Sequence, residues 1–282
     1  MGDATAASPT SSSITLGQSD TDIAAVTGKA SGSSPSGVVT FDHVSYGYPG
    51  SERLVFEDIS FALQPGQTSA IIGGTGSGKT TLLSLIPRFF DVSSGSVSVN
   101  GVDVRNQLQE DLWSSLGLVP QVAFLFSGTV ASNLRFGRPE ASDEELWRAL
   151  EIAQARDFVA SMPGALDAAI DQGGTNISGG QRQRLSIARA IVKQPQVYLF
   201  DDCFSALDAT TDARLRIALK AATAQAAQLI VAQRVSTILH ADQIIVLADG
   251  VVAGLGTHRE LLASCLPYRE IVVSQLGPEA AS

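Results

Sequence analysis

Eight consecutive residues constrain this chain more than any other stretch: Gly73-Gly74-Thr75-Gly76-Ser77-Gly78-Lys79-Thr80, which fits G-x-x-x-x-G-K-[ST]. Such a loop functions only between a strand and a helix. The sequence supplies both, a nearly all-apolar run at 68–72 before it and a helical pattern starting near Lys79. Glycines keep side chains from blocking the approach of a phosphate to backbone N–H groups, and they permit the angles that a ring of such groups requires. The helix turns its positive end toward the anion. Lys79 reaches β- and γ-phosphates, and the Thr80 hydroxyl can ligate Mg²⁺. An accidental Lys-Thr after a glycine-rich turn is the bland alternative, and the full match between strand and helix weighs against it.

Asp201 follows a second buried run, 197–200, so its carboxylate emerges at the carboxyl edge of a strand. Open α/β sheets bind ligands at that edge, and a carboxylate there can hold Mg²⁺ through water. Further apolar runs at 228–232 and 243–247 are each set off by helical patterns, the signature of a parallel sheet covered by helices. Earlier runs at 38–41 and 60–63 flank the Tyr48-Pro49-Gly50 turn. Residues 122–193 have few strand signals and many helical ones, among them a capping box, Ser142 to Glu145, ahead of apolar residues at helical spacing.

Composition excludes several classes. At 44% hydrophobic and 17% charged, the chain has ample core. A net charge of −9, with no long basic block, argues against nucleic-acid partners. No apolar run reaches the ~18 residues of a membrane span. Residues 1–37, rich in Ser, Thr, Gly and Ala, lack an apolar stretch long enough for a signal peptide and read as a flexible linker. Cys203 and Cys265 cannot form a disulfide scaffold; they read as free thiols in a reducing compartment, and the chain as cytosolic.

Ile177-Ser178-Gly179-Gly180-Gln181, between the cradle and Asp201, resembles the signature motif of ATP-binding cassette (ABC) nucleotide-binding domains. Gln121, in Leu118-Val119-Pro120-Gln121, matches the Q-loop glutamine, and Ser205-Ala206-Leu207-Asp208 the D-loop. Tyr48 resembles the aromatic that stacks on adenine in this family. The resemblance covers 38–276, leaving 277–282 as a tail. It implies an α/β fold: a P-loop NTPase (ABC ATPase) core with a parallel sheet, an N-terminal antiparallel β subdomain and an inserted helical subdomain at about 122–193. ATP and Mg²⁺ are the implied ligands. Tyr48, the whole run Gly73 to Thr80, Thr81, Ser178, Gly179, Gly180, Gln181 and Asp208 would contact nucleotide, and Thr80, Gln121 and Asp201 would hold the metal. Leu125 to Leu134 and Gln233 to Ile238 look like the exporter type, in which two cassettes pair head to tail and enclose two ATP molecules. Ser178 and Gln181 also have N-cap and N3 spacing, and Gly179 and Gly180 leave the first N–H groups of the following helix bare for an anion.

Two positions depart from the family. Active members carry a water-polarising glutamate after the Mg²⁺-site aspartate; here it is Asp202, whose carboxylate sits roughly 1.5 Å further back. A misplacement near 1 Å can cost ~10²-fold in rate. Gln233 replaces the switch-loop histidine and cannot become cationic or relay a proton. Together these resemble the degenerate half of a heterodimeric exporter. The chain's own pocket then holds Mg·ATP with little turnover, while its signature completes the active site of a different cassette that carries Glu and His. A self-sufficient homodimer, a soluble ABC ATPase and a regulatory nucleotide-binding module are the alternatives. Transmembrane domains are expected N-terminal to the cassette in a longer polypeptide, which puts the chain at the cytoplasmic face of a membrane, coupled near 121–133. His43, His240 and His258 lack metal-ligand spacing, Trp113 and Trp147 read as packing residues, and Cys203 lies close enough to the pocket to be modified.

Overall fold

The computed structural model describes Met1, Gly2 and residues 36–281, so most of the expected linker lies outside the described residues. All the described strands and helices belong to one unit, Ser34–Ser282. Strand β1 (Val39–Tyr46) pairs antiparallel with β2 (Phe56–Leu63), and Phe41 stacks on its register partner Phe61 with ring centroids 4.5 Å apart. β3 (Thr68–Gly73) leads through the glycine loop into α1 (Lys79–Leu85). β4 (Ser94–Val99) and β5 (Val102–Asp103) complete a four-stranded antiparallel sheet in the order β2-β1-β4-β5. β4 is not among the strands that the apolar runs announce; its Ser-Gly-Ser start is held in the sheet by pairing with β1.

α2 (Gln109–Ser115) and β6 (Leu116–Val119) precede the helical region. That region comprises β7 (Gly128–Thr129), α3 (Val130–Arg135), α4 (Asp143–Ile152), α5 (Arg156–Ser161), β8 (Ala169–Ile170) and α6 (Gly179–Lys193). The Ser142–Glu145 capping box forms as the spacing implies. Then come β9 (Val197–Asp201), α7 (Ala209–Ala222), β10 (Ala227–Val231), α8 (Val235–Ile238), β11 (Gln243–Ala248), β12 (Val251–Gly256), α9 (His258–Ser264) and α10 (Leu266–Leu276).

The larger sheet has six strands in the order β12-β11-β3-β10-β9-β6. It is parallel from β11 to β6. One edge strand departs from that pattern. β12 runs antiparallel to β11, because the Asp249-Gly250 turn, with both φ positive, is too short for anything but a hairpin. Every residue of β9 and β10 is buried, and all are apolar except Asp201 at the end of β9 and Gln228, which donates to the Thr223 hydroxyl at 2.7 Å. Alternate side chains serve two cores: Ile71, Val197 and Leu199 face the antiparallel sheet and α1, while Ile72, Tyr198 and Phe200 face the helical region. The carboxyl ends of β3, β9 and β10 are thereby held side by side on a rigid base.

Candidate active site

A cavity of about 1180 Å³ opens at those strand ends, lined by Tyr48, all residues from Gly73 to Thr81, Gln121, Asp201, Asp202 and Gln233. The glycine loop has individual reasons for its glycines. A Cβ on Gly73 would lie 2.3 Å from the Leu247 carbonyl oxygen, so no side chain fits between β3 and β11. Gly78 N-caps α1 at φ +88°, in the left-handed region, and offers no capping side chain. Lys79 Nζ folds back into the loop, donating to the Gly73 and Gly74 carbonyls at 2.9 and 2.8 Å. Burial pulls its pKa down, against the Asp202 and Asp201 carboxylates that raise it. A desolvated ammonium ringed by backbone polar groups suits a polyphosphate.

Asp201 ends β9 with its side chain buried, and Oδ1 accepts from Thr80 Oγ1 at 2.9 Å. Burial raises its pKa, a cost that an adjacent cation would offset. This hydroxyl–carboxylate pair fits Mg²⁺, a hard cation that takes one or two carboxylates and completes its shell with phosphate and water oxygens. Asp202 turns back at φ +43°, its N–H bonded to the Val231 carbonyl at 2.9 Å, and Oδ2 accepts from Gln121 Nε2 at 3.1 Å. Tyr48, half-exposed at the rim, meets Tyr46 and Phe90 edge-on and exchanges a 2.8 Å hydrogen bond with the Thr81 hydroxyl. Its exposed face is available to a planar base.

The other singled-out residues lie elsewhere. Ser178 Oγ accepts from Gln181 N–H at 3.2 Å and Gln181 Oε1 from Ser178 N–H at 2.9 Å, completing the capping box on α6. Ser178 and Gly179 are exposed, and a Cβ on Gly180 would approach the Ala206 carbonyl at 3.4 Å. Asp208 caps α7 through the Thr211 N–H at 3.0 Å. Signature and D-loop residues are thus neighbours of one another, outside the cavity that holds the cradle. Cys203, expected to be open to modification, is fully buried, and burial pushes its thiol well above the ordinary value.

Some features escape sequence reading. Gln183 on α6, itself buried, donates to the Pro120 carbonyl at 3.1 Å and so ties the signature helix to the Gln121 segment. A second cavity, of about 390 Å³, is lined by Phe89, Trp113, Phe124, Phe126, Phe136 and Arg189. Trp113, read as a packing residue, packs edge-on against Phe89 and donates to the Pro87 carbonyl at 2.9 Å while remaining 42% exposed there, and Trp147 packs against the core. Arg189 Nη1 is buried without a hydrogen-bond partner. These aromatics are scattered in sequence and carry no periodic signal.

Comparison with known proteins agrees with this geometry. Residues 56–205 match the family model described as "ABC transporter". An uncharacterised ABC transporter ATP-binding protein of Mycobacterium bovis is 49% identical over 243 residues, covering 85% of this chain and 41% of the relative. A putative multidrug export ATP-binding/permease protein of Staphylococcus aureus is 41% identical over 235 residues, covering 83% of this chain and 41% of its own. A solved bacterial Atm1-family ABC exporter with ATP bound superposes with a TM-score of 0.80 at 36% identity, covering 84% of this chain and 41% of the other. The chain spans about two fifths of the length of the relatives it matches.

Proposed function

This chain belongs to the ABC transporter family, and from that premise we propose that it is the ATP-binding cassette of an exporter, one that binds Mg·ATP in its own pocket while hydrolysing it poorly. The observation that carries this reading is an intact cradle beside a shortened carboxylate. Lys79, Thr80 and Asp201 surround a cavity wide enough for a nucleotide. Yet the side chain at the water-polarising position is Asp202, engaged by Gln121. Bound Mg²⁺ would neutralise charge on the β- and γ-phosphates. Lys79 would bind the same phosphates, Tyr48 would stack on the base, and Gln233 would donate a hydrogen bond toward the terminal phosphate without being able to take up a proton.

The Ser178–Gln181 capping box, exposed at Ser178 and Gly179, supports a second role, closing the pocket of a partner cassette whose own residues include the glutamate and histidine absent here. We further infer that the aromatic cavity around Phe124 and Phe136 docks a cytoplasmic segment of transmembrane domains, putting the cassette at the cytoplasmic face of a membrane. Arg189 lines the same cavity, its Nη2 donating to the Phe124 carbonyl at 3.1 Å.

Steady-state phosphate release tests the division of labour. The chain alone should be slow, and mixing it with a cassette carrying Glu and His at the two positions should raise the rate by about 10²-fold. Equal rates with and without the partner would favour a self-sufficient homodimer instead.

A further inference from the structure

Between the end of β10 at Val231 and the start of α8 at Val235 runs the short segment that carries Gln233. Ala232 is still held by the sheet, its N–H bonded to the Ile71 carbonyl at 3.0 Å. Beyond it, α8 is only four residues long, and its N-cap, Arg234, makes no side-chain capping bond. Arginine has no acceptor atom, so the first N–H of this helix must find one elsewhere.

It finds one on the last helix. Gln275 Oε1 accepts from the Val235 N–H at 2.8 Å, and Gln275 Nε2 donates to the Gln233 carbonyl at 2.8 Å. One planar amide therefore grips the main chain on both sides of Arg234. That contact fixes the peptide planes there, and with them the direction in which the Gln233 side chain leaves the backbone. The opposite end of α8 is gripped as well, by Arg216 Nη1 donating to the Thr237 carbonyl at 3.0 Å. Gln275 and Gln233 line the same cavity.

We propose that Gln275 is a positioning residue for the contact between Gln233 and the terminal phosphate of a nucleoside triphosphate, so that α10 sets how well the pocket distinguishes triphosphate from diphosphate. The inference rests on the nucleotide-binding role proposed for this pocket. Gln275 acts through backbone and does not itself touch the phosphate. Losing both hydrogen bonds frees the segment, and only a ligand carrying the third phosphate should register the change.

The test compares the full chain with Gln275→Ala and Gln275→Glu, titrating each with Mg·ATP and Mg·ADP and following amide exchange at Val235. Because Gln275 is exposed, neither variant disturbs the core. In Gln275→Ala, ATP affinity should fall about three- to tenfold, the scale of one or two hydrogen bonds, with ADP affinity held within about twofold. Val235 exchange should rise. Gln275→Glu retains the acceptor for Val235 but cannot donate to the Gln233 carbonyl, so exchange should stay near wild type while the ATP preference still falls. An unchanged ATP-to-ADP ratio in both variants, or equal weakening of the two nucleotides, would overturn the proposal. A wild-type chain that fails to bind Mg·ATP would instead sink the nucleotide reading.

Discussion

Gln121 Nε2 donates to Asp202 Oδ2 at 3.1 Å, joining the segment after β6 to the residue that follows β9. Asp202 is further held by its own N–H on Val231, so its carboxylate has little freedom to advance into the cavity. Its backbone is also unusual: φ of +43° suits aspartate better than most side chains. The short side chain is thus favourable for the turn; in the proposed function it would fall short of an in-line water.

Restoring reach should restore chemistry. Asp202→Glu combined with Gln233→His is expected to raise phosphate release from this chain's own pocket by about 10²-fold. Glutamate is less at ease in the left-handed region, so the melting temperature should drop by roughly 2–4 °C, equivalent to about 1 kcal/mol in a domain of this size. A doubly substituted chain that hydrolyses no faster than wild type would show that reach is not what limits it.

Two adjacent glycines should separate folding from binding. A Cβ on Gly73 would collide with the Leu247 carbonyl oxygen at 2.3 Å and with Ser77 Oγ at 2.8 Å, and the first of these is backbone in the neighbouring strand. Gly73→Ala should therefore destabilise by about 1–3 kcal/mol, seen as a lower midpoint in denaturant. A Cβ on Gly74 meets nothing within 4 Å, and this glycine lines the cavity. Gly74→Ala should keep the wild-type midpoint while weakening ATP, because the added methyl occupies space the phosphates need. Equal midpoints for the two variants would contradict the assignment of Gly73 to close strand packing.

The contrast between these two positions bears on what a sequence can reveal. The strand–loop–helix placement of the motif from Gly73 to Thr80 was legible because its geometry is local, with strand, loop and helix contiguous in the chain. The same holds for the Ser178–Gln181 box, three residues apart on one helix turn. Central strands were legible because burial on both faces leaves a mostly apolar run, as in Val197–Phe200 of β9 and Leu229–Val231 of β10. β4 was not, since its serines owe their strand to the register with β1. Nor was the wall formed by Phe89, Trp113 and Phe136, which the fold gathers from segments far apart. Gln275 is the extreme case: a lone glutamine near the end of the chain gains meaning only from two hydrogen bonds to a segment about forty residues earlier.

Protonation near the carboxyl-terminal helices offers a test of packing that is independent of nucleotide. His258, the first residue of α9, shares a 2.7 Å hydrogen bond between its Nδ1 and the hydroxyl of Tyr268, a residue buried in α10. Burial, and secondarily His240, holds the imidazole below its ordinary value of 6.5. As pH falls past 6.5 the unfolded chain takes up this proton before the folded chain does. The contribution of His258 to stability is therefore present above that value and is lost as pH falls through the folded-state pKa. His43 works the other way, because its hydrogen bond to Asp58 raises its pKa, so the wild-type profile alone mixes opposite trends. Comparison with His258→Gln isolates the one site. The variant should melt below wild type at about pH 7.5, and the gap should narrow by on the order of 1 °C by about pH 5.5. A gap that widens on acidification would mean that the imidazole is held protonated against Tyr268, opposite to what its burial implies.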